Sequence, residues 1–410
     1  MKQGAGAGRV IGAVSLLALA GYALGGVSRE PQPAEPQPIS GPAVWSEAFA
    51  GADAVVQAAV GKAFPGGVLA VGHAGRLVHL KAFGRLSYDA DAAEVRPDTL
   101  YDLASLTKVI VTTTLAMTLV DEGTLDLDAR VGAFFPAWKG GKKDAVTLRQ
   151  LLTHSGGLTW WAPLYKEIRG ESAYVERIVA MDLAYEPGTK SVYSDLGIVL
   201  LGDVLQRLGG EPLATLARRR VLDPLGMKDA RYLPEAVLVP RIAPTEHDPW
   251  RGRMLRGEVH DENAFALGGV APHAGLFGTA PDLVRLAQML LDEGTLDGRR
   301  LVSRATVELF TQRAGVPGSS RALGWDTASD ESGRRSSVPG EPGYSSAGSL
   351  LSGRAFGHTG FTGTSIWMDP ERGLYVILLT NRVHPTREND AIRAVRSQLA
   401  DAVVRALPKP

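Results

Sequence analysis

The stretch Tyr101-Asp102-Leu103-Ala104-Ser105-Leu106-Thr107-Lys108, continued by Val109 to Glu122, decides how the rest of the chain is read. From Ser105 onward it suits a long buried helix, with Val109, Ile110, Leu115, Met117, Leu119 and Val120 supplying the apolar surface. Asp121-Glu122-Gly123 closes it, and Gly123 fits a left-handed C-terminal cap. Ser105 and Lys108 are three apart, which on a helix brings their side chains onto one face, about 5–6 Å between Cβ atoms. A serine hydroxyl is a weak nucleophile until a nearby base takes its proton, and a partly desolvated lysine is such a base. Free N–H groups and the positive dipole end at a helix start also favour an oxyanion. Taken alone, Ser-x-x-Lys is a common pairing and a serine at a helix start is ordinarily a cap. Other stretches must carry the reading further.

Composition removes several classes of function. The 410 residues hold 44 basic and 44 acidic side chains, so no charge excess points to nucleic acid or to a solvating tail. Apolar residues make up 45%, enough for a large core. There is no cysteine, which excludes disulfides, a thiol nucleophile, cysteine-ligated metal and a lipid-modified cysteine anchor.

The N-terminus speaks to location. Lys2 and Arg9 precede an uncharged stretch from Val10 to Val27. It reads as a signal peptide with Ala18-Leu19-Ala20 as a cleavage site, or as an uncleaved membrane anchor. Ser28 to Ala43 carries Pro31, Pro33, Pro36, Pro38 and Pro42, an extended spacer. The expected organisation is a leader or anchor over 1–27, a linker over 28–43 and a catalytic domain over 44–407. Export to the periplasmic or extracellular side follows as the expectation.

Within the domain, Val44 to Phe64 has helical spacing, and Val68–His73 with Leu77–Phe83 reads as a hairpin. The chain is mostly helical from Gly123 to about Pro240, including Val146–Thr153, Leu196–Leu208 and Pro212–Leu222. Thr327 to Ala347 reads as a surface loop. Phe356–Phe361, Thr364–Met368 and Leu374–Thr380 read as strands, and Ile392, Val395, Leu399 and Val403 mark one face of a last helix. The fold class is therefore mixed α/β of the α+β type. One sheet is built from 44–100 and 345–407, and a helical region over roughly 101–240 is inserted between its parts.

Three separated stretches carry the chemistry: Ser105-Leu106-Thr107-Lys108, then Tyr193-Ser194-Asp195 ahead of a helix, then His358-Thr359-Gly360 on a strand. In that order, with Leu151-Leu152-Thr153-His154-Ser155-Gly156-Gly157, Glu186-Pro187-Gly188, Pro224-Leu225-Gly226-Met227 and Val259-His260-Asp261-Glu262-Asn263-Ala264, the chain resembles class C-type serine β-lactamases and penicillin-binding proteins. That family includes D-Ala-D-Ala carboxypeptidases and β-lactamase-like carboxylesterases. The resemblance implies an antiparallel sheet flanked by helices, with the active site against the helical insert. It implies Ser105 as the acylated nucleophile, Lys108 as its base or proton partner and Tyr193 as a proton shuttle. Asp195, His358, Thr359, Gly360 and Phe361 would bind substrate, and the N–H groups of Ser105 and Phe361 would form the oxyanion hole. The substrate would be a peptidoglycan-type peptide, a β-lactam or an ester, with no metal or other cofactor required. The alternative is a non-catalytic cell-wall or penicillin-binding protein. Oligomeric state is open.

Two positions depart from the family pattern, Asp195 for asparagine and His358 for lysine. A carboxylate beside Lys108 would hold it charged, which favours a tyrosinate-like Tyr193 or a protonated Asp195. His358 weakens the hold on a substrate carboxylate at neutral pH. His260-Asp261-Glu262 with His273 lacks helical metal-ligand spacing and reads as hydrogen bonding within loops. His154 reads as a buried turn residue. Trp160 and Trp161 fit a core or a cleft edge equally.

Overall fold

The computed structural model describes Met1 and residues 47–329 and 332–408. The leader and the proline-rich spacer expected over 1–43 lie outside these residues. Among the described residues no helix is long and apolar enough to cross a membrane.

The apolar run Gly66–His73 (β1) turns at Ala74-Gly75 into Arg76–Gly84 (β2). From the other end of the chain come Asp326–Thr327 (β3), Phe356–Thr359 (β4), Ser365–Asp369 (β5) and Leu374–Thr380 (β6). They form one six-stranded sheet in the order β3-β4-β5-β6-β1-β2, antiparallel throughout. β1 and β6 are joined in register Val68↔Leu379 to Val71↔Val376, so the two ends of the domain meet at the sheet centre.

Because side chains alternate along a strand, β1 and β6 feed two cores. Val68, Ala70, Ile377 and Leu379 face the larger one. Its helices are Thr114–Asp121 (α2), Leu148–Leu152 (α3), Asp195–Gly209 (α4) and Ala280–Leu291 (α5). Leu69, Val71, Val376 and Leu378 face the smaller core, under Ala50–Ala59 (α1) and Ile392–Ala406 (α6). Burial on both faces explains why these strands read as unbroken apolar runs. Each buried Leu or Val contributes about 1.5–3 kcal/mol.

Three local expectations need correction. The first helix ends at Ala59, not Phe64, because Val60 leaves helical geometry and bridges back to Phe64. The helix after Ser105 does not include it: Ser105 sits in a turn, and Lys108–Thr113 winds as a π-helix before α2 begins. Thr112-Thr113-Thr114 gives the physical reason. The Thr114 hydroxyl donates to Val109 O at 2.9 Å and so takes up a carbonyl that a regular helix would use, while Thr112 ties the same turn to Pro272 O at 2.6 Å. Likewise the expected helix Pro212–Leu222 is α-helical only over Leu213–Ala217 and π-wound over Arg218–Leu222. Gly123 does take the left-handed conformation, at φ 71°.

Candidate active site

Ser105 follows a strained residue. Ala104 has φ 46° without being glycine, an arrangement that persists where the surroundings over-determine it. They do so here. Asp102 accepts from the Ala104 N–H at 2.8 Å and from the His260 N–H at 2.6 Å. Thr362 and Thr364 donate to Asp102 O and Leu103 O. Gly360 lies so close that an added Cβ would meet Leu103 O at 2.6 Å and Thr364 Oγ1 at 2.1 Å. The Ser105 turn is thus held against the end of β4.

Lys108 is buried, and its ammonium has three acceptors arranged around it. It donates to Ser105 Oγ at 2.9 Å and to His273 O at 2.9 Å, and it pairs with Asp195 Oδ1 at 2.7 Å. Two hydrogen bonds and an ion pair converging on the ammonium are the surroundings of a charged lysine. Burial works against that charge, but Asp195 and then Tyr193 outweigh it and hold the Lys108 pKa above its ordinary value. The Tyr193 hydroxyl is within hydrogen-bonding reach of both Lys108 and Ser105. Its own pKa is raised, chiefly by burial and also by Asp195, with Lys108 pulling the other way.

Asp195 opens α4, and its N–H is taken by Trp160 O at 3.1 Å. Ser194 caps the helix with its side chain on the Gly197 N–H. The Ser194 N–H in turn donates to His154 Nδ1 at 3.0 Å. His154 is the buried turn residue expected, with φ 55°. Its ring also packs on Tyr193, centroids 4.6 Å apart, and so supports the second motif directly.

His358 lies on the other side of Tyr193, with ring centroids 5.9 Å apart. Burial, then Arg321 and Lys108, push its pKa well below the ordinary value, so it is neutral. Thr359 O can only accept, so the 2.9 Å contact places the proton on Nδ1 and leaves Nε2 bare and buried. The third motif therefore contributes no cation. Arg321, which the sequence reading missed, stands 5.1 Å over the Tyr193 ring. Ser105, Tyr193, Arg321, Thr359, Phe361 and Arg393 are among the residues lining a cleft of about 320 Å³. Among the described residues, neither the Ser105 N–H nor the Phe361 N–H donates to a protein acceptor, and both residues line that cleft.

The remaining candidates are placed elsewhere. His260 contacts Glu246 at 2.8 Å, Asp261 contacts His273 at 3.1 Å and Glu262 pairs with Arg387 at 2.9 Å. No group of three or more metal-binding side chains occurs among the described residues. Trp160 is 60% exposed and stacked on Trp161, and neither lines the cleft.

A sequence-family model described as Beta-lactamase matches residues 52–400. The chain is 32% identical over 365 residues to an N-acetylmuramyl-L-alanine amidase of Bacillus subtilis, covering 81% of this chain and 80% of that protein. It is 32% identical over 344 residues to an Escherichia coli protein named "Putative D-alanyl-D-alanine carboxypeptidase", covering 75% and 76%. A solved structure titled EstCE1, a hydrolase with promiscuous acyltransferase activity, shares the fold at TM-score 0.69 and 23% identity, over 87% of this chain and 99% of that one. The chain belongs to the β-lactamase family, and its fold is the β-lactamase/transpeptidase type.

Proposed function

We propose that this chain is an exported hydrolase of peptidoglycan-type amides that works through an acyl-enzyme on Ser105. One observation carries the reading: Lys108 Nζ bridges Ser105 Oγ and Asp195 while Tyr193 reaches the same oxygen, beside two unpaired N–H groups. At its raised pKa Tyr193 rests protonated, so the cycle begins when it gives its proton to solvent. Charged Lys108 stabilises the tyrosinate, which then takes the proton of Ser105 as Oγ attacks the substrate carbonyl. The electron pair moves to oxygen between the Ser105 and Phe361 N–H groups. Collapse restores the carbonyl and breaks the C–N bond, and the departing nitrogen takes the proton from Tyr193. Water then repeats the sequence at the ester: it gives a proton to Tyr193, attacks, and Ser105 leaves with that proton. Relatives named as an N-acetylmuramyl-L-alanine amidase and a putative D-alanyl-D-alanine carboxypeptidase support the amide class. The uncharged stretch from Val10 to Val27, read as a signal peptide or an anchor, supports export.

A substrate panel tests this. A muramyl peptide, a peptide ending in D-Ala-D-Ala, nitrocefin and a short p-nitrophenyl ester are compared by kcat/KM. Turnover of either peptide above the ester is expected. Turnover of the ester alone overturns the amide reading.

Asp195 gives a pH prediction. It raises the pKa of both Lys108 and Tyr193. Asparagine in its place removes that influence, so whichever of the two must lose a proton does so at lower pH. Asp195→Asn is expected to fold and to move the ascending limb of the kcat/KM–pH profile to lower pH. An unmoved limb means that Asp195 does not control the protonation of the site.

A further inference from the structure

We propose that Arg396 is a positioning residue for the oxyanion hole, acting through the Gly360–Phe361 peptide. The inference rests on the acyl-transfer reading above. Arg396 Nη2 donates to Gly360 O at 2.7 Å and to Thr364 O at 2.7 Å. Gly360 O and the Phe361 N–H belong to one peptide group, so a cation on the first acts on the second. A charge-assisted bond to a carbonyl draws electron density toward the oxygen and strengthens the N–H across the same amide as a donor. That N–H has no protein acceptor among the described residues, and Phe361 lines the cleft where Ser105 lies.

The surrounding bonds fix the same peptide. The Gly360 N–H donates to Thr364 O at 2.7 Å, so Arg396 closes both ends of a turn that the backbone has already made. The Gly363 N–H donates to Gly360 O at 3.1 Å. Arg382 Nε holds the next carbonyl, Phe361 O, at 2.7 Å, and its guanidinium lies 4.3 Å over the Phe361 ring.

Packing alone does not explain an arginine at this position. Arg396 sits on the apolar side of α6, with Ile392, Val395, Leu399 and Val403, and is itself buried. Among the described residues no carboxylate is among the groups acting on it and its Nε has no partner. Burial, with Arg382 adding repulsion, pulls its pKa down to about 9. Burying an unpaired cation is strongly unfavourable, and a leucine or methionine would fill the space without that penalty. What the guanidinium adds is the bond to Gly360 O.

The test compares wild type, Arg396→Met and Arg396→Lys for kcat, KM and affinity for a boronic acid, whose tetrahedral adduct on Ser105 places an oxygen in the hole. A non-covalent product peptide serves as the ground-state ligand. In Arg396→Met, kcat is expected to fall about tenfold, a fraction of the 100- to 1,000-fold seen when such a donor is lost outright. Boronate affinity should fall in parallel, with KM and product affinity nearly unchanged. Arg396→Lys keeps a charged donor and should recover most of both. Arg396→Gln, a donor without the charge, should show the same losses as methionine and carries the test if the methionine variant does not fold. A folded methionine or glutamine variant with unchanged boronate affinity, or one altered only in KM, overturns the inference and leaves the reaction intact. Failure of wild type to form a Ser105 adduct overturns the acyl-transfer reading itself.

Discussion

Ser105→Ala is expected to abolish covalent labelling and reduce turnover by a factor on the order of a thousand or more, while leaving the fold unchanged. The Ser105 hydroxyl meets only Lys108 and Tyr193, both at the cleft, so its loss should leave Tm nearly unchanged. The size of the effect follows from what the oxygen does. Without Oγ no ester forms, and only binding and the two N–H groups remain to stabilise the transition state. Mass spectrometry after exposure to a slow β-lactam or a fluorophosphonate provides the measurement. The adduct should sit on the tryptic peptide containing Ser105 in wild type and be missing in the variant. An adduct on another serine, or unchanged turnover, would remove Ser105 from the mechanism.

Lys108→Met should be comparably severe for activity and, unlike the serine change, should destabilise the fold. The ammonium fills three acceptors in a buried site. Removing it leaves the His273 carbonyl and the Asp195 carboxylate without their donor, and breaking a buried pair costs about 3–5 kcal/mol. The lower end applies here, because Asp195 keeps 15% of its side-chain exposure. The double variant Lys108→Met with Asp195→Asn separates the two roles. It removes the stranded carboxylate, so thermal stability should largely return while activity does not. If activity returns with stability, Lys108 serves only to hold Asp195, and the proton pathway through Tyr193 is wrong.

Sequence alone located those residues whose relation is local. Ser105 and Lys108 are three apart and joined by one turn, the Lys108 N–H donating to Ser105 O at 3.1 Å. Tyr193 and Asp195 are related by a two-residue step at a helix start. A carboxylate two residues past Tyr193 led to the expectation of a charged Lys108 by simple electrostatics, and the 2.7 Å contact has that geometry. Groups that reach the site from distant elements were not legible. His273 acts through a backbone carbonyl, which every residue possesses and no side-chain pattern marks. Arg321 stands alone between Ser320 and Ala322, and only the sheet brings it over Tyr193. Strand β3 is two residues long, too short for any alternation to show. Arg396 did leave a trace. It falls four residues after Ile392 on the apolar stripe of α6, and a charge on a buried helix face is the kind of inconsistency that marks a constrained position.

The pairing of β1 with β6 sets an order on how the domain is completed during synthesis. β1 and β2 are neighbours in sequence and can zip as soon as residue 84 has been made, but the other edge of β1 receives its partner only when Leu374–Thr380 arrives. Close to 300 residues of chain must emerge in between. Over that interval Val68 to Val71 presents an apolar strand with unpaired amides, the kind of edge that recruits other strands and favours aggregation. A nascent chain stopped before residue 374 should therefore remain dependent on a holding chaperone, whatever helices it has already formed. The stretch from Leu374 through α6 both closes the sheet and supplies Arg396 to the cleft, so the sheet and the proposed site are completed together.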